Sequence, residues 1–293
     1  MNFGIIGVGA IGGTIAKKLA TAGHSVKVAN SRGKDVVMEF AGEIGAEASD
    51  LTEISQDVDV LIVSIPYGAI SSLPKDIFEN LDDDAIVIDT GNYYPEVRNE
   101  NIEDFGNGEV ESIWFSDKIN RPVVKAFNTL LAYSLAELGK PSGDENRLAM
   151  QISGDDENQK KIVTGLIDEC GFDSYDCGTL SESWTMQPSS AGYCCDYTLD
   201  ELTEVKKKSV QTPESVAENR AYFYNNFAEL ASNDFSHENV IRLNRKYNVW
   251  RFNIDFFKME WSYNALYWDC LSESLWTYVT FAWNYSGLQS QQM

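Results

Sequence analysis

The sequence predicts an α/β fold, a doubly wound parallel sheet followed by a mainly helical, aromatic-rich C-terminal extension. Three observations carry this prediction. Short runs rich in Val, Ile and Ala are apolar on both faces, as strands of a sheet covered on two sides must be. They alternate with segments whose apolar residues recur at three- and four-residue steps. A glycine cluster separates the first such run from the first such helix. Residues 1–200 are expected to form the sheet domain and residues 201–293 the helical region.

The elements follow in order. Asn2–Ile6 is an apolar run, broken by Gly7-Val8-Gly9-Ala10-Ile11-Gly12-Gly13. Ile15, Leu19 and Ala22 then keep helical spacing, and Gly23 closes that helix. Val26–Ala29 reads as the second strand, with a helix from about Asp35 to Ile44 behind it. Val58–Ile65 is a further strand candidate ending at Pro66, with a helix from about Ala69 to Leu81. Ala85–Asp89 ends at Thr90-Gly91-Asn92, and Val123–Phe127 ends at Asn128-Thr129. No internal repeat or low-complexity tract interrupts this alternation.

The glycine cluster carries the first chemistry. Gly7 permits the tight turn out of strand one, Gly9 lets backbone approach a pyrophosphate, and Gly12 lets helix and strand pack closely. The helix beginning near Ala10, with Ile11 in its first turn, aims free N–H groups and its positive dipole end at phosphates. A strand before the motif and a helix after it are the context of a dinucleotide-binding, Rossmann-type unit. At the end of strand two an NAD site places a carboxylate for the ribose 2′-hydroxyl. This chain has Asn30-Ser31-Arg32-Gly33 instead. Ser31 can donate to a 2′-phosphate, and Arg32 can pair with it or stack on adenine. NADP(H) is therefore the expected cofactor, the alternative for Arg32 being a solvated turn residue.

Three more strand ends should meet the cofactor, because ligands of open α/β sheets sit outside the carboxyl ends of strands. They are Ser64-Ile65-Pro66-Tyr67, Thr90-Gly91-Asn92-Tyr93 and Ala126-Phe127-Asn128-Thr129. Ile65 and Tyr67 are placed to line the ribose and nicotinamide. Asn92 and Asn128 can hydrogen-bond an amide or a ring carbonyl at a redox centre, or simply cap the next helix. Lys125, two residues before Phe127, is expected to point away from the cleft or to a structural partner, and no proton-transfer residue is named. The two histidines, His24 and His237, lie away from strand ends and read as surface residues.

Composition narrows the partners. The chain has 293 residues and a net charge of −22. So acidic a chain is not expected to bind nucleic acid or anionic membranes, where Lys and Arg must neutralise phosphates. The acidity reads as a solvated surface or a face for a basic partner. Five cysteines without framework spacing support neither a zinc site nor a disulfide scaffold, and reduced thiols in the cytoplasm are the expectation. The most membrane-like stretch, Leu266–Tyr285, is interrupted by Asp269 and Glu273 and reads as an aromatic helix. More than half of the aromatic residues fall from Tyr222 onward, Trp250, Trp261, Trp268, Trp276 and Trp283 among them. This stripe suits core or homodimer packing, or a wall for a planar second substrate. Glu201–Pro213, with Lys206-Lys207-Lys208, reads as a solvated helix end or linker.

Taken together, Gly-Val-Gly-Ala-Ile-Gly, Asn30-Ser31-Arg32-Gly33, Ser64-Ile65-Pro66 and Val123–Thr129 resemble the NADP oxidoreductases dependent on the deazaflavin coenzyme F420. Ser153-Gly154-Asp155-Asp156 and Asp176-Cys177-Gly178-Thr179-Leu180 extend the match, which covers about residues 1–200. The chain is equally similar to the oxidoreductase domain of the six-transmembrane ferric reductases. The resemblance implies hydride exchange between NADPH and a flavin-like or deazaflavin-like ring, usually in a dimer. It implies that Gly9 to Gly12 cradle the pyrophosphate, that Ser31 and Arg32 hold the 2′-phosphate, and that Ile65 and Pro66 face the nicotinamide ribose. Two departures, a shorter glycine loop and the continuation to Met293, leave the acceptor open. A non-catalytic NADP(H)-binding sensor or scaffold, and a reductase of a small carbonyl or imine, are the alternative readings.

Overall fold

Five short segments with fully buried apolar faces assemble the centre of the molecule. The computed structural model describes residues 1–94, 102, 105, 109–232 and 234–248. Strand β1 (Asn2–Ile6) leads through the glycine turn into α1 (Gly12–Thr21), then β2 (Ser25–Ala29) and α2 (Lys34–Ile44). A two-residue strand β3 (Glu47–Ala48), β4 (Val60–Val63), the single turns α3 (Tyr67–Ile70) and α4 (Asp76–Glu79), and β5 (Ile86–Asp89) follow. Then come α5 (Glu111–Ile119), β6 (Val124–Lys125), α6 (Ala132–Glu137), β7 (Ala149–Ile152), α7 (Glu157–Glu169) and β8 (Asp173–Asp176).

Six strands form one sheet in the order β3-β2-β1-β4-β5-β6, every pair parallel. Chain direction reverses its progress across the sheet between β1 and β4, the place where α/β sheets open a crevice. Alternate residues supply two cores. Phe3, Ile5, Val28, Ile62 and Ile88 pack on one face with Ile15, Leu19 and Val163 of α1 and α7. Ile6, Leu61, Val63 and Val87 pack on the other with Ile70, Ile77 and Phe115 of α3, α4 and α5. Strands β7 and β8 make a second parallel pair. It joins the main sheet through Lys125 and Ser153, whose backbones exchange hydrogen bonds of 2.8 and 3.0 Å.

Four more helices follow among the described residues: α8 (Leu199–Lys208), α9 (Pro213–Asn225), α10 (Phe227–Leu230) and α11 (His237–Tyr247). Their starts are written locally. Thr198 and Glu201 form a capping box on α8, and Thr212 caps α9 with Pro213 in its first turn. Ser236 caps α11.

Several sequence expectations need correction. The helix expected over Ala69–Leu81 is two single turns, because Pro74 cannot donate into a continuing helix and its ring crowds the preceding turn. Of Val123–Phe127 only Val124 and Lys125 pair with β5, and Phe127 leaves the strand in a left-handed conformation with φ 62°. Lys207 and Lys208 are exposed at the end of α8, but Lys206 is half-buried, its ammonium donating to the Thr185 carbonyl, and burial lowers its pKa. Strands β3, β7 and β8 carried no clear pattern, β3 because it is two residues long and β8 because Asp173-Ser174-Tyr175-Asp176 is polar. The aromatic residues from Trp250 to Trp283, the stretch Leu266–Tyr285 and Cys270 lie outside the described residues. No helix among the described residues is long and apolar enough to cross a membrane.

Candidate functional site: the carboxyl edge of the sheet

The strands of the main sheet end nearly level. Ile6 pairs with Ala29 and Val63, Val63 with Asp89, and Asp89 with Lys125. One further rung crosses this edge, from Gly7 N–H to Ala29 O, Ser64 N–H to Ile6 O, Thr90 N–H to Val63 O and Ala126 N–H to Asp89 O. Beyond that rung every chain turns away. The five segments singled out by sequence are thereby brought to one edge, grouped around the β1–β4 switch.

At the centre, steric limits explain the glycines. A Cβ on Gly7 would lie 2.3 Å from the Ser64 carbonyl oxygen, and φ at Gly7 is +94°. A Cβ on Gly12 would lie 2.0 Å from the Gly7 carbonyl oxygen, so α1 can touch β1 only without one. Gly9 differs, since a Cβ there would meet nothing within 4 Å. Its side faces open space. Hydrogen bonding of α1 starts with Gly13 N–H to Gly9 O at 2.8 Å. The N–H groups of Gly9, Ala10 and Ile11 donate to no acceptor among the described residues. Ile11 at the helix start offers no side-chain cap, and the first turn of α1 holds no acid. In so acidic a chain that leaves a neutral patch of free donors at a positive dipole end, which suits an anion.

The β2 end is built as a turn. Asn30 Oδ1 accepts the Arg32 N–H at 2.8 Å, and Asn30 O accepts from Gly33 N at 3.3 Å. Asn30 thus holds the loop with its own side chain. Ser31 and Arg32 are left exposed, and the Arg32 guanidinium makes no ion pair among the described residues.

At the β4 end Ser64 and Ile65 are half-buried and Pro66 is exposed. Tyr67 is placed differently from expectation. Pro66 starts α3 and turns residue 67 beneath the edge, where it is fully buried against Phe105, Trp114 and Phe115. Its side chain does not line the cleft. The hydroxyl donates to Asp89 Oδ2 at 2.7 Å, and burial, then the Asp89 charge, hold its pKa well above the ordinary phenol value.

The β5 and β6 ends are joined by a buried polar network. Lys125, with no exposed surface, lies 3.0 Å from Asp89 Oδ2 and 3.1 Å from the Tyr67 hydroxyl, and also donates to Gly91 O. Asp89 further accepts from Ser112 Oγ at 2.8 Å and from Gly91 N at 2.8 Å. Asn92 Nδ2 donates to Asn128 O at 3.0 Å, and Asn128 Nδ2 returns a bond to Asn92 Oδ1 at 3.0 Å and one to Met186 O at 2.9 Å. Asn128 Oδ1 is buried without a partner among the described residues. Thr129 is also buried, its hydroxyl accepting from Gln151 N and its carbonyl from Cys194 N.

Sequence reasoning missed the segment Met186–Asp196, which packs on the β6 end. Helix α11 grips it through Asn244 to Cys194 O, Arg245 to Cys195 O and Asp196 O, and Asn248, just past the helix, to Tyr193 O. Both histidines read as surface residues are paired: His24 with Glu169 at 2.6 Å, and His237 with Asp196 at 3.0 Å. Neither is at the sheet edge. The described cysteines are free thiols, and burial pushes Cys170 and Cys195 up to about 12, so they are poor nucleophiles.

Comparison with known proteins agrees with this architecture. The model of the family described as NADP oxidoreductase, coenzyme F420-dependent, matches residues 2–93. Protein YjhV of Escherichia coli (strain K12) is 32% identical over 114 residues, covering 37% of this chain and 77% of that protein. The crystal structure of hypothetical protein SMa0349 from Sinorhizobium meliloti is 31% identical, with a TM-score of 0.53 over 62% of this chain and 87% of its own. A candidate F420-dependent NADP reductase from Arthrobacter sp. FB24 shares the fold at 20% identity, with a TM-score of 0.54 over 62% of this chain and 87% of its own. With the glycine turn, the strand order and these relatives in agreement, the chain belongs to the family of NADP oxidoreductases, coenzyme F420-dependent.

Proposed function

We propose that the carboxyl edge of the sheet binds NADP(H) and that the protein passes hydride between NADPH and a planar flavin-like or deazaflavin-like acceptor. The observation that carries the binding reading is the run of N–H groups at Gly9–Ile11 that have no acceptor among the described residues, beside open space at Gly9 and with no acid in the first helical turn. A pyrophosphate fits that donor set. Ser31 and Arg32, exposed at the β2 end, would hold the 2′-phosphate while Asn30 keeps their turn in shape. Ile65 and Pro66 would pack on the nicotinamide ribose. Asn92 and Asn128, with Gly91 and Thr129 behind them, would meet the carboxamide end.

NADPH, when bound, supplies the hydride. What this chain adds is alignment. A ring acceptor is favoured over a carbonyl or imine because the ionisable groups beneath the β5 and β6 ends, Asp89, Lys125 and Tyr67, are buried and paired with one another. A carbonyl substrate needs a positioned proton donor, whereas a flavin-type ring can take its proton from solvent. The acceptor is tested by following NADPH oxidation with a panel of flavin, deazaflavin, quinone, ferric and imine compounds. Turnover with a ring acceptor is expected. Binding of NADPH without turnover on any of them would favour a redox sensor, and turnover with imines alone would overturn the ring-acceptor reading.

A further inference from the structure

Two opposite charges buried at the ends of neighbouring central strands call for a reason. A buried ion pair seldom stabilises more than well-packed apolar residues of the same size would. Asp89 and Lys125 face each other in register at the ends of β5 and β6, 2% and 0% exposed. What distinguishes the pair is where its spare hydrogen bonds go. Asp89 Oδ1 accepts from the Gly91 N–H, and Lys125 Nζ donates to the Gly91 carbonyl, so both backbone polar groups of one residue are held by one ion pair. Tyr67 and Ser112 occupy Asp89 Oδ2, and the Tyr67 hydroxyl also accepts from Lys125. The three ammonium protons of Lys125 are therefore all engaged. Gly91 is pressed onto this support, since a Cβ there would lie 2.7 Å from the Tyr67 ring.

The residue after this clamp is Asn92. Its amide group is tied in both directions to Asn128, which is anchored in turn to Met186 O. Asn128 keeps one buried side-chain carbonyl oxygen without a partner among the described residues.

We propose that Lys125 is a positioning residue that, through Gly91, sets the paired amides of Asn92 and Asn128 for the nicotinamide half of the cofactor. This rests on the NADP(H) reading of the cleft above. It assigns the lysine no proton transfer. Its ammonium is spent on the turn, and the fixed asparagine pair is what a ligand amide would meet.

The test uses the full chain carrying Lys125→Met together with Asp89→Asn. The double substitution removes both charges and so avoids leaving a buried carboxylate unpaired. NADPH and adenosine 2′,5′-bisphosphate, which lacks the nicotinamide half, are titrated calorimetrically against it and against the unaltered protein. NADPH affinity should fall about tenfold or more while bisphosphate affinity holds within about twofold. In cofactor-free protein, exchange of the Asn92 and Asn128 side-chain amide protons should accelerate about tenfold, with backbone amides of β1 and β4 unchanged. Unaltered protein that binds neither ligand would sink the reading of the cleft itself. If it binds both, two results overturn the role of Lys125: equal losses for both ligands in the double variant, or NADPH affinity and asparagine exchange both left as they were.

Discussion

The two halves of the sheet edge solve opposite problems. Around β1 and β2 groups are left without partners among the described residues: the N–H groups at Gly9–Ile11 and an exposed Arg32 with no carboxylate beside it. Around β5 and β6 it pairs almost everything, burying Asp89, Lys125 and Tyr67 in one network and tying Asn92 to Asn128. The first half is suited to anions, which bring their own charge and can be met by backbone and dipole. The second is suited to a flat, neutral amide whose placement matters more than its charge, and rigid side chains supply that. The difference teaches that substitutions in the first half should alter affinity by charge and space, and those in the second by loss of alignment.

The largest effect should come from Gly12→Ala, where the two roles of the glycine turn separate. The new Cβ would lie 2.0 Å from a backbone oxygen that cannot move without shifting β1. Destabilisation of roughly 3 kcal/mol or more is expected in a urea titration, with dinucleotide binding lost alongside. Gly9→Val should do the reverse. Its side chain would enter open space, so the unfolding free energy should stay within about 0.5 kcal/mol of the original while NADPH affinity drops about a hundredfold or more. A Gly9→Val protein that is unstable, or that binds normally, breaks the division between packing and ligand glycines.

Next in size is Arg32→Ala. An exposed guanidinium–phosphate pair contributes on the order of 1.5–3 kcal/mol, so NADPH affinity should fall about ten- to a hundredfold and NADH affinity should barely change. Equal losses would show that Arg32 stacks on adenine or supports the turn. Titration at fixed salt is needed because screening weakens exposed pairs.

The smallest effect concerns Asp196, under α11. Burial holds its carboxyl above the usual range, outweighing Ser134 and His237, which pull it down. The folded state therefore favours the protonated acid. That contribution is full below the unfolded carboxylate pKa of about 4 and is lost as pH rises through the raised folded value. Asp196→Asn carries no such loss, so relative to the original protein it should gain stability as pH rises across that window. A difference that stays flat with pH would contradict the sign.

How much of this was legible depends on how local the physics is. The glycine turn, the Asn30 turn and the capping of α8, α9 and α11 lie within a few residues of chain, and the residue types announce them. The direction of Tyr67 is not local, because a side chain following Pro66 can turn outward or under the sheet, and only the packing of Phe105, Trp114 and Phe115 decides. The Asp89–Lys125 pair spans 36 residues and exists only through strand register. A signal was available: one acid closes the apolar run Ile86–Asp89, and one lysine interrupts Val123–Phe127. Two opposite charges in two buried strands ask for each other. Nothing comparable marked Met186–Asp196, whose place is set by side chains of α11 some 50 residues further on.

The central claim, that NADP(H) lies on the carboxyl edge of the main sheet at the β1–β4 switch, is tested most directly by following backbone amide shifts during an NADPH titration. The largest shifts are expected at Gly9, Ala10, Ile11 and Gly12, with a second group at Ser31 and Arg32 that NADH does not reproduce. Saturable NADPH binding that leaves Gly9–Gly12 unmoved, or no binding at millimolar cofactor, would contradict it.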